Sequence, residues 1–296
     1  MVILGGVLVF LFVVGGLWQL PAWATMLGHN TNEILEIDVA LGRWLAANTP
    51  PDALIAVDDI GAIAFVSGRR IVDLNGLVSP EMWPAVKQPV GLARDQVTTR
   101  ILSGIQPDYL VAFPLWHWAI VTNPAVVEAI HRVETDTHTI IFGQEAFVYR
   151  PAWPYGAEPA ATTVGSAVLG DAIQLQGYDL QLPREPEQPV KLTLYWHSLN
   201  PVATDYDVFV HVLDDSGQIV AQVDQEPVRG LAPTSLWQPG DTIGDPYQLT
   251  LPPELPAGAY AINVGMYRRE TGERLFASGG RVADNAILLA TFNRLP

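Results

Sequence analysis

The chain begins with MVILGGVLVFLFVVGGLWQL (residues 1–20), and this stretch decides how the rest of the sequence is interpreted. It contains no charged side chain. At 1.5 Å per residue, a helix of this length covers roughly 30 Å, the thickness of the hydrocarbon core of a bilayer. Trp18 and Trp23 lie where an aromatic belt meets the membrane surface, and Pro21 between them is predicted to end the helix. The sequence therefore predicts a transmembrane helix over residues 1–21.

Two other interpretations of this stretch remain open. A secretory signal peptide has a basic segment, a shorter apolar core and a cleavage site of small residues. Here no Lys or Arg precedes the apolar run, and Ala22-Trp23-Ala24 is only a weak cleavage signal. A buried core helix carries polar residues on one face, but none occurs before Gln19. We favour the membrane span, and its abrupt start suggests the last span of a longer membrane protein.

The position of the first basic residue predicts an orientation. After the span, the first Lys or Arg is Arg43, so the positive-inside rule places the following part of the chain on the outer face. We therefore expect a single-pass protein of the cell membrane that contacts the lipid bilayer through residues 1–21. The remaining length has room for two soluble domains.

Composition excludes several classes of function. The 296 residues carry 31 acidic and 16 basic side chains, a net charge of −15. Because no basic stripe is available to neutralise phosphates, a nucleic-acid partner is not expected. The lack of cysteine excludes disulfides, thiolate metal sites and a cysteine nucleophile. The histidines show no H-x-x-x-H spacing and no phosphate-binding loop occurs, so neither a metal nor a cofactor is predicted.

Residues 22–150 are predicted to form a small α/β domain with a mostly parallel sheet. An amphipathic helix over residues 25–49, capped by Asn32, leads into it. Short apolar runs then alternate with helical patterns, as in a parallel sheet. The predicted strands are Leu54–Val57, Ile71–Leu74, Tyr109–Phe113, Thr139–Phe142 and Ala146–Tyr149, and the predicted helices are Gly61–Val66, Val97–Ser103 and Pro124–His131.

The second half of the chain has the pattern of an antiparallel β-sandwich. Its first part, residues 151–163, contains PAWPYGAEP and is predicted to be a linker. Short alternating runs separated by turns such as DDSG then predict a sandwich over residues 164–296. Gly258-Ala259-Tyr260 is similar to a tyrosine corner, with Ile262 where an immunoglobulin domain carries its second cysteine. We therefore expect an Ig-like sandwich.

One stretch resembles a known family. Ala56–Glu81 (AVDDIGAIAFVSGRRIVDLNGLVSPE) is similar to the extramembrane region after the last span of some bacterial integral-membrane glycosyltransferases. These are GT-C enzymes related to the dolichyl-phosphate-mannose mannosyltransferases, and they use lipid-linked sugars. Later segments, HVLDDSG, TSLWQPGD and LPAGAY, resemble sandwich modules appended to such proteins. In that family the catalytic carboxylate lies in the first extramembrane loop, near the N-terminus of a polytopic protein. No catalytic residue therefore carries over to this sequence.

Three aspartates are candidate binding residues. Asp58 and Asp59 follow one predicted parallel strand, and Asp73 ends the next. Since ligands gather at the carboxyl ends of such strands, these side chains could bind a cation or a sugar hydroxyl. Helix caps are commoner than ligand sites, so we favour a simpler interpretation. In it Asp58 or Asp59 caps the following helix, and Asp73 bonds the turn at residues 75–76.

An aromatic patch is the other candidate. Trp116, His117 and Trp118 could stack on a sugar ring or touch the membrane interface. Local packing is the favoured interpretation, because aromatic clusters are more often core than binding surface.

These observations leave three functions open. The first is an accessory extracytoplasmic C-terminal part of a membrane glycosyltransferase, without a catalytic site of its own. The second is a stand-alone, non-enzymatic membrane module whose sandwich binds carbohydrate or a protein. The third and least supported is a hydrolase that uses Asp58, Asp59 and Asp73. Beyond the bilayer, the expected partner is a glycan or a lipid-linked sugar.

Overall fold

The chain divides into two compact units. The computed structural model describes residues 2–137, 139–158, 162–163, 167–183 and 188–294. Unit 1 comprises Met1–Leu74, Asp108–His117 and Ala129–Arg150, and unit 2 comprises Asn75–Pro107, Trp118–Glu128 and Pro151–Pro296. The predicted domains are continuous in sequence, whereas the contacts group residues 75–107 and 118–128 with the β-rich unit.

A single long helix forms the N-terminal part of unit 1. Helix α1 (Val2–Ile34) continues through a π-helical segment (Leu35–Val39) into α2 (Ala40–Asn48). The helix is long and apolar enough to cross a membrane, and its most apolar part is not buried against any described part of the chain. A core helix of a soluble domain would be covered there, so the structure argues against that alternative.

Two predictions about the ends of this helix are wrong. Pro21 lies inside α1 and does not end it, and Asn32 lies inside the same helix and does not cap a new one. A proline removes one N–H donor, but its fixed φ is compatible with a helix. Leu, Gln, Ala and Met around Pro21 are good helix formers, so the helix continues through it.

The sheet of unit 1 contains both parallel and antiparallel pairs. Strand β1 pairs in parallel with β2 and with β3, and β3 pairs antiparallel with β5. The strand order is β2-β1-β3-β5-β4, with helix α3 (Gly61–Ser67) between β1 and β2. The strands are β1 (Leu54–Val57), β2 (Arg70–Asp73), β3 (Tyr109–Ala112), β4 (Val127–Glu134) and β5 (Glu145–Pro151).

The closing strand of this sheet differs from the prediction. The predicted helix Pro124–His131 is wrong, because Val127–Glu134 forms strand β4. The predicted strand Thr139–Phe142 is also wrong, whereas Ala146–Tyr149 is confirmed within β5. A proline marks a turn as readily as a first helical turn, and the apolar residues of β4 alternate in the manner of an edge strand.

The core of unit 1 lies between the long helix and the sheet. Ile37, Leu41 and Leu45 are fully buried, and they belong to the same apolar cluster as Ile55 and Val57 of β1. Burial of each such side chain contributes about 1.5–3 kcal/mol relative to exposure. The C-terminal part of the long helix is therefore an integral part of unit 1.

Arg69 caps the C-terminal end of α2 with hydrogen bonds. Its guanidinium donates to the carbonyl oxygens of Ala46 and Thr49, at 2.9 Å each, and to the Thr49 hydroxyl at 3.1 Å. The last carbonyls of a helix have no intrahelical partner and carry the negative end of its dipole. A forked cation is therefore well suited to this position.

We expect Arg69→Ala to lower the free energy of unfolding of unit 1 by about 2–4 kcal/mol, since hydrogen bonds from a charged donor are lost. Arg69→Lys should restore little, because one ammonium cannot reproduce the fork. The measurement is urea unfolding of the detergent-solubilised chain, with the exposed Arg43→Ala as a charge-matched control. Equal stability of the Arg69→Ala and Arg43→Ala proteins would contradict the role given to Arg69.

The described residues of unit 2 form two antiparallel sheets, three α-helices and three short 3-10 helices (Pro80–Met82, Pro227–Gly230 and Thr234–Leu236). One sheet has the order β11-β10-β13-β16-β15, and the other has the order β12-β9-β8-β7-β14, with β6 pairing β8. Mixed α/β structure followed by β-rich structure is thus confirmed. The elements are α4 (Trp83–Val86), α5 (Leu92–Ile105), α6 (Trp118–Val121), β6 (Thr162–Thr163), β7 (Val168–Leu169), β8 (Ile173–Gln181), β9 (Val190–Ser198), β10 (Asp207–Leu213), β11 (Ile219–Gln225), β12 (Thr242–Leu249), β13 (Gly258–Tyr267), β14 (Ala277–Ser278), β15 (Val282–Ala283) and β16 (Ala286–Arg294).

Two local features of the β-rich unit match their sequence patterns. Leu192, Leu194 and Trp196 alternate along β9, and all three are buried. The Tyr260 hydroxyl donates to the carbonyl oxygen of Pro256 at 2.8 Å, the backward hydrogen bond of a tyrosine corner. Immunoglobulin-like topology itself stays a prediction.

The segment predicted as a linker is packed within unit 2 as far as residue 158. Trp153 and Tyr155 are buried, and the Trp153 indole N–H donates to the carbonyl oxygen of Pro107 at 3.0 Å. Residues 159–161 and 164–166, where the linker was predicted to end and the sandwich to begin, lie outside the described residues.

Candidate functional site

The carboxyl ends of β1 and β3 bring a buried acid and a histidine together. Asp58 directly follows β1, and its Oδ2 accepts a hydrogen bond from the backbone N–H of Phe113 at 3.0 Å. His117 is fully buried and interacts electrostatically with Asp58. Burial raises the pKa of Asp58 to about 6, while His117 and the Phe113 hydrogen bond act in the opposite direction.

Asp38, in the π-helical segment, interacts electrostatically with Asp58 and Asp59. Its side chain is 1% exposed, and its Oδ1 has no hydrogen-bond partner among the described residues. Burial is the main cause that raises the pKa of Asp38 to about 7, followed by the negative charges of Asp59 and Asp58. π-helical turns are rare in proteins, and those that do occur are often found at functional sites. We call Asp38, Asp58 and Asp59 the acidic cluster.

Asp59 is the more exposed member of the acidic cluster. It interacts with the backbone N–H of Gly61, the first residue of α3, but the N-cap position of that helix is Ile60, so neither Asp58 nor Asp59 is its N-cap residue. Burial still raises its pKa above the ordinary value. The acidic cluster therefore extends from the fully buried Asp58 to a half-buried carboxylate.

The remaining predicted site residues are Asp73, Trp116 and Trp118. Asp73 is fully buried at the end of β2, opposite Val57 in the register. Trp116 packs against Phe142 with ring centroids 4.4 Å apart, as expected for local packing. Trp118 is half exposed and begins α6 in unit 2. Of the six candidates, the structure brings Asp58, Asp59 and His117 together.

Sequence reasoning missed Asp38, although a signal was present. Asp38 falls four residues after Ile34 and three before Leu41, on the stripe that also carries Leu45. A carboxylate on the apolar stripe of an amphipathic helix must be buried when that stripe packs. Within the described residues, no group of three or more His, Asp or Glu side chains is arranged to hold a metal ion. Because burial raises the pKa values of Asp38 and Asp58 towards neutrality, these carboxyls can take up and release a proton near neutral pH.

Unit 2 contains a buried acid that accepts three hydrogen bonds. Asp245 is fully buried in β12 and accepts hydrogen bonds from the Val228 N–H at 2.8 Å, the Trp196 indole at 3.2 Å and the Tyr247 hydroxyl. Val228 and Arg229 have φ values of 52° and 53°, a left-handed conformation that is strained for valine. Asp245 thus holds a strained turn against the sheet.

Unit 2 also exposes an apolar segment. Six large apolar side chains in residues 77–92 are 37–78% exposed, and the Trp83 indole N–H donates to the carbonyl oxygen of Gly76 at 2.9 Å. Such a surface marks a contact with protein or lipid more often than chance. The six are Leu77, Val78, Trp83, Val86, Val90 and Leu92.

Comparisons with known proteins give one family match and weak structural similarities. No curated protein matches the chain. It is similar to a Bacteroides uniformis β-glucuronidase (12% identity, 49% of this chain, 16% of that chain, TM-score 0.25) and to β-glucosidase 3B from Thermotoga neapolitana (16% identity, 49% and 17%, TM-score 0.24). Because this chain covers less than a fifth of either enzyme at such TM-scores, neither supports a functional argument. Residues 28–163, a little under half of the chain, match the family model described as Domain of unknown function (DUF8728).

Proposed function

We propose that the chain is a membrane-anchored module whose two units lie on the outer face of the cell membrane. The observation that supports this is the change along one continuous helix. From Val7 to Leu27 its apolar side chains are exposed, whereas Ile37, Leu41 and Leu45 are fully buried in unit 1. A helix that passes from lipid into a folded domain shows this change in side-chain exposure. Its backbone polar groups stay hydrogen-bonded within the helix along the whole length.

We further propose that the module is the accessory part of a membrane glycosyltransferase that uses lipid-linked sugars and has no catalytic site of its own. The stretch that carries the family resemblance, residues 56–81, contains the second half of β1, all of α3 and all of β2, and so supplies part of the sheet of unit 1. The exposed apolar segment at residues 77–92 is suited to contact with a membrane-embedded partner.

The orientation can be tested by labelling a single introduced cysteine, because the chain has no cysteine of its own. Asp215→Cys places one thiol on the exposed turn between β10 and β11. We expect a membrane-impermeant maleimide to label this protein in intact cells. Val2→Cys, at the other end of α1, should be labelled only after lysis. The reverse pattern would place the units in the cytoplasm.

The accessory role can be tested by photocrosslinking in native membranes. A photoreactive amino acid at the exposed position 90 should link the chain to a polytopic protein with an acidic residue in its first extramembrane loop. The same residue at position 216, on the exposed β10–β11 turn, serves as the control and should give no such product. Products with lipid alone, or equal products from both positions, would count against this role.

A stand-alone carbohydrate-binding module is the second candidate, and the half-exposed Trp118 is the observation that favours it. Sugar rings stack on exposed aromatic faces. On a glycan array, binding by the full chain in detergent should be lost with Trp118→Ala and retained with Trp118→Phe. Absence of binding by the unsubstituted chain would remove this candidate.

A further inference from the structure

The acidic cluster joins separate elements of unit 1. Asp38 comes from the π-helical segment of the long helix, and Asp58 and Asp59 come from the turn between β1 and α3. The segment that carries Asp38 connects the exposed apolar part of the helix to the part packed on the sheet. A change of charge at this position therefore acts on the packing of residues 35–48 on the sheet.

Ionised Asp38 has a carboxylate oxygen to which no described group of the protein donates a hydrogen bond. It is 99% buried, and its Oδ1 lacks a hydrogen-bond partner among the described residues. Burial of a carboxylate with an unpartnered oxygen disfavours its ionised form, and the negative charges of Asp59 and Asp58 disfavour it further. A bound proton removes this penalty, because the neutral acid is far less penalised by burial.

The other charged and titratable groups around the cluster do not cancel its charge. His117 faces Asp58 from the segment after β3, and Tyr149 of β5 also lies near Asp58. On the long helix itself, Glu36 is engaged elsewhere, since its Oε2 accepts from the Thr135 hydroxyl at 2.5 Å. With one histidine against three carboxylates, full ionisation leaves net negative charge inside unit 1.

From this geometry we infer that Asp38, Asp58 and Asp59 bind a proton that locks the long helix onto the sheet of unit 1, and that losing the proton loosens this packing. The ligand is the proton itself, so the site reports the pH on the side of the membrane where unit 1 lies. This inference concerns the interior of unit 1 and does not depend on the accessory role proposed above.

The direction of the pH dependence follows from the raised pKa of Asp38. The folded state binds the proton more tightly than the unfolded chain, so this contribution to stability is fully present at pH values below about 4. It is lost as the pH rises towards about 7. Unit 1 is therefore expected to be tighter at pH 5.5 than at pH 8.5.

Infrared spectroscopy and hydrogen exchange on the full chain in detergent test this inference. The carbonyl stretch of protonated carboxylic acids should be present at about pH 5.5 and disappear by about pH 8.5, and Asp38→Asn should remove the part of it that Asp38 contributes while the buried Asp58 and Asp245 keep theirs. Protection of the amides at residues 35–48, corrected for intrinsic exchange, should fall roughly tenfold over this range in the unsubstituted chain and stay constant in Asp38→Asn. Asp52→Asn, an exposed and charge-matched change, should behave as the unsubstituted chain does.

A second variant keeps the test decisive if Asp38→Asn does not fold. Asp59→Asn removes one repelling charge from a half-buried position, so it should move the midpoint of both signals to lower pH. A carboxylic-acid band that Asp38→Asn leaves unchanged, or protection at residues 35–48 that is independent of pH, would overturn the inference. So would an unchanged midpoint in Asp59→Asn.

Discussion

Replacing Val9 and Phe12 together with aspartate is expected to release the chain from the membrane fraction. Both side chains lie near the centre of the apolar part of α1 and are 64% and 85% exposed. An aspartate at the centre of a membrane helix costs about 2.5–3.5 kcal/mol, whereas valine or phenylalanine favours insertion by roughly 0.3–0.6 kcal/mol. The two changes should therefore cancel most of the insertion free energy of the helix.

The measurement is alkaline carbonate extraction followed by flotation. The unsubstituted chain should float with the lipid, and the double variant should remain in the soluble fraction. Ile219→Asp with Phe276→Asp is the matched control, because it adds the same charge at exposed apolar positions of unit 2 outside the segment 77–92. If the Val9/Phe12 variant still floats, then helix α1 does not anchor the chain.

Asp245→Ala is expected to cause the largest loss of stability in unit 2. The substitution leaves the Val228 N–H, the Trp196 indole and the Tyr247 hydroxyl buried without their acceptor. Each unsatisfied buried donor costs about 1–3 kcal/mol, so the loss of all three should lower the free energy of unfolding by roughly 3 kcal/mol or more. The strained turn at residues 228–229 loses its restraint at the same time.

Urea unfolding followed by tryptophan fluorescence measures this effect, because Trp196 lies in the network. Asp215→Ala removes a carboxylate from an exposed turn and should change stability by less than about 0.5 kcal/mol. Asp245→Asn keeps one acceptor oxygen and should lie between the two. Equal stability of Asp245→Ala and Asp215→Ala would show that the hydrogen bonds to Asp245 contribute little.

Local patterns predicted much of the fold, and the failures have identifiable causes. The alternating runs that predicted the β-rich half are present in strand β9, where every second residue, Leu192, Leu194 and Trp196, is buried. The helix over Pro124–His131 was wrong because one proline signal outweighed an alternating run. Pro21 was given too much weight for the same reason, since a proline prevents one hydrogen bond and not a helix.

The sequence predicted only part of the candidate site. Asp58 and Asp59 were identified because the ends of parallel strands converge, which is a general property of such sheets. Their partner Asp38 was missed because apolar residues were counted on the helix and the one acid among them was not. The pairing of Asp58 with His117 was also missed, since 59 residues separate them in the chain and only the sheet brings them together.

By itself the sequence determined that this protein carries a helix fit to cross a membrane, followed by α/β and then β-rich structure. Such properties depend on side-chain polarity and its period, which are local. Only the tertiary structure decided which carboxylates lose their water, that Asp38 lies beside Asp58 and Asp59, and that Asp245 holds a strained turn. Desolvation and charge proximity depend on distances between segments that are remote in the chain, so no local pattern specifies them.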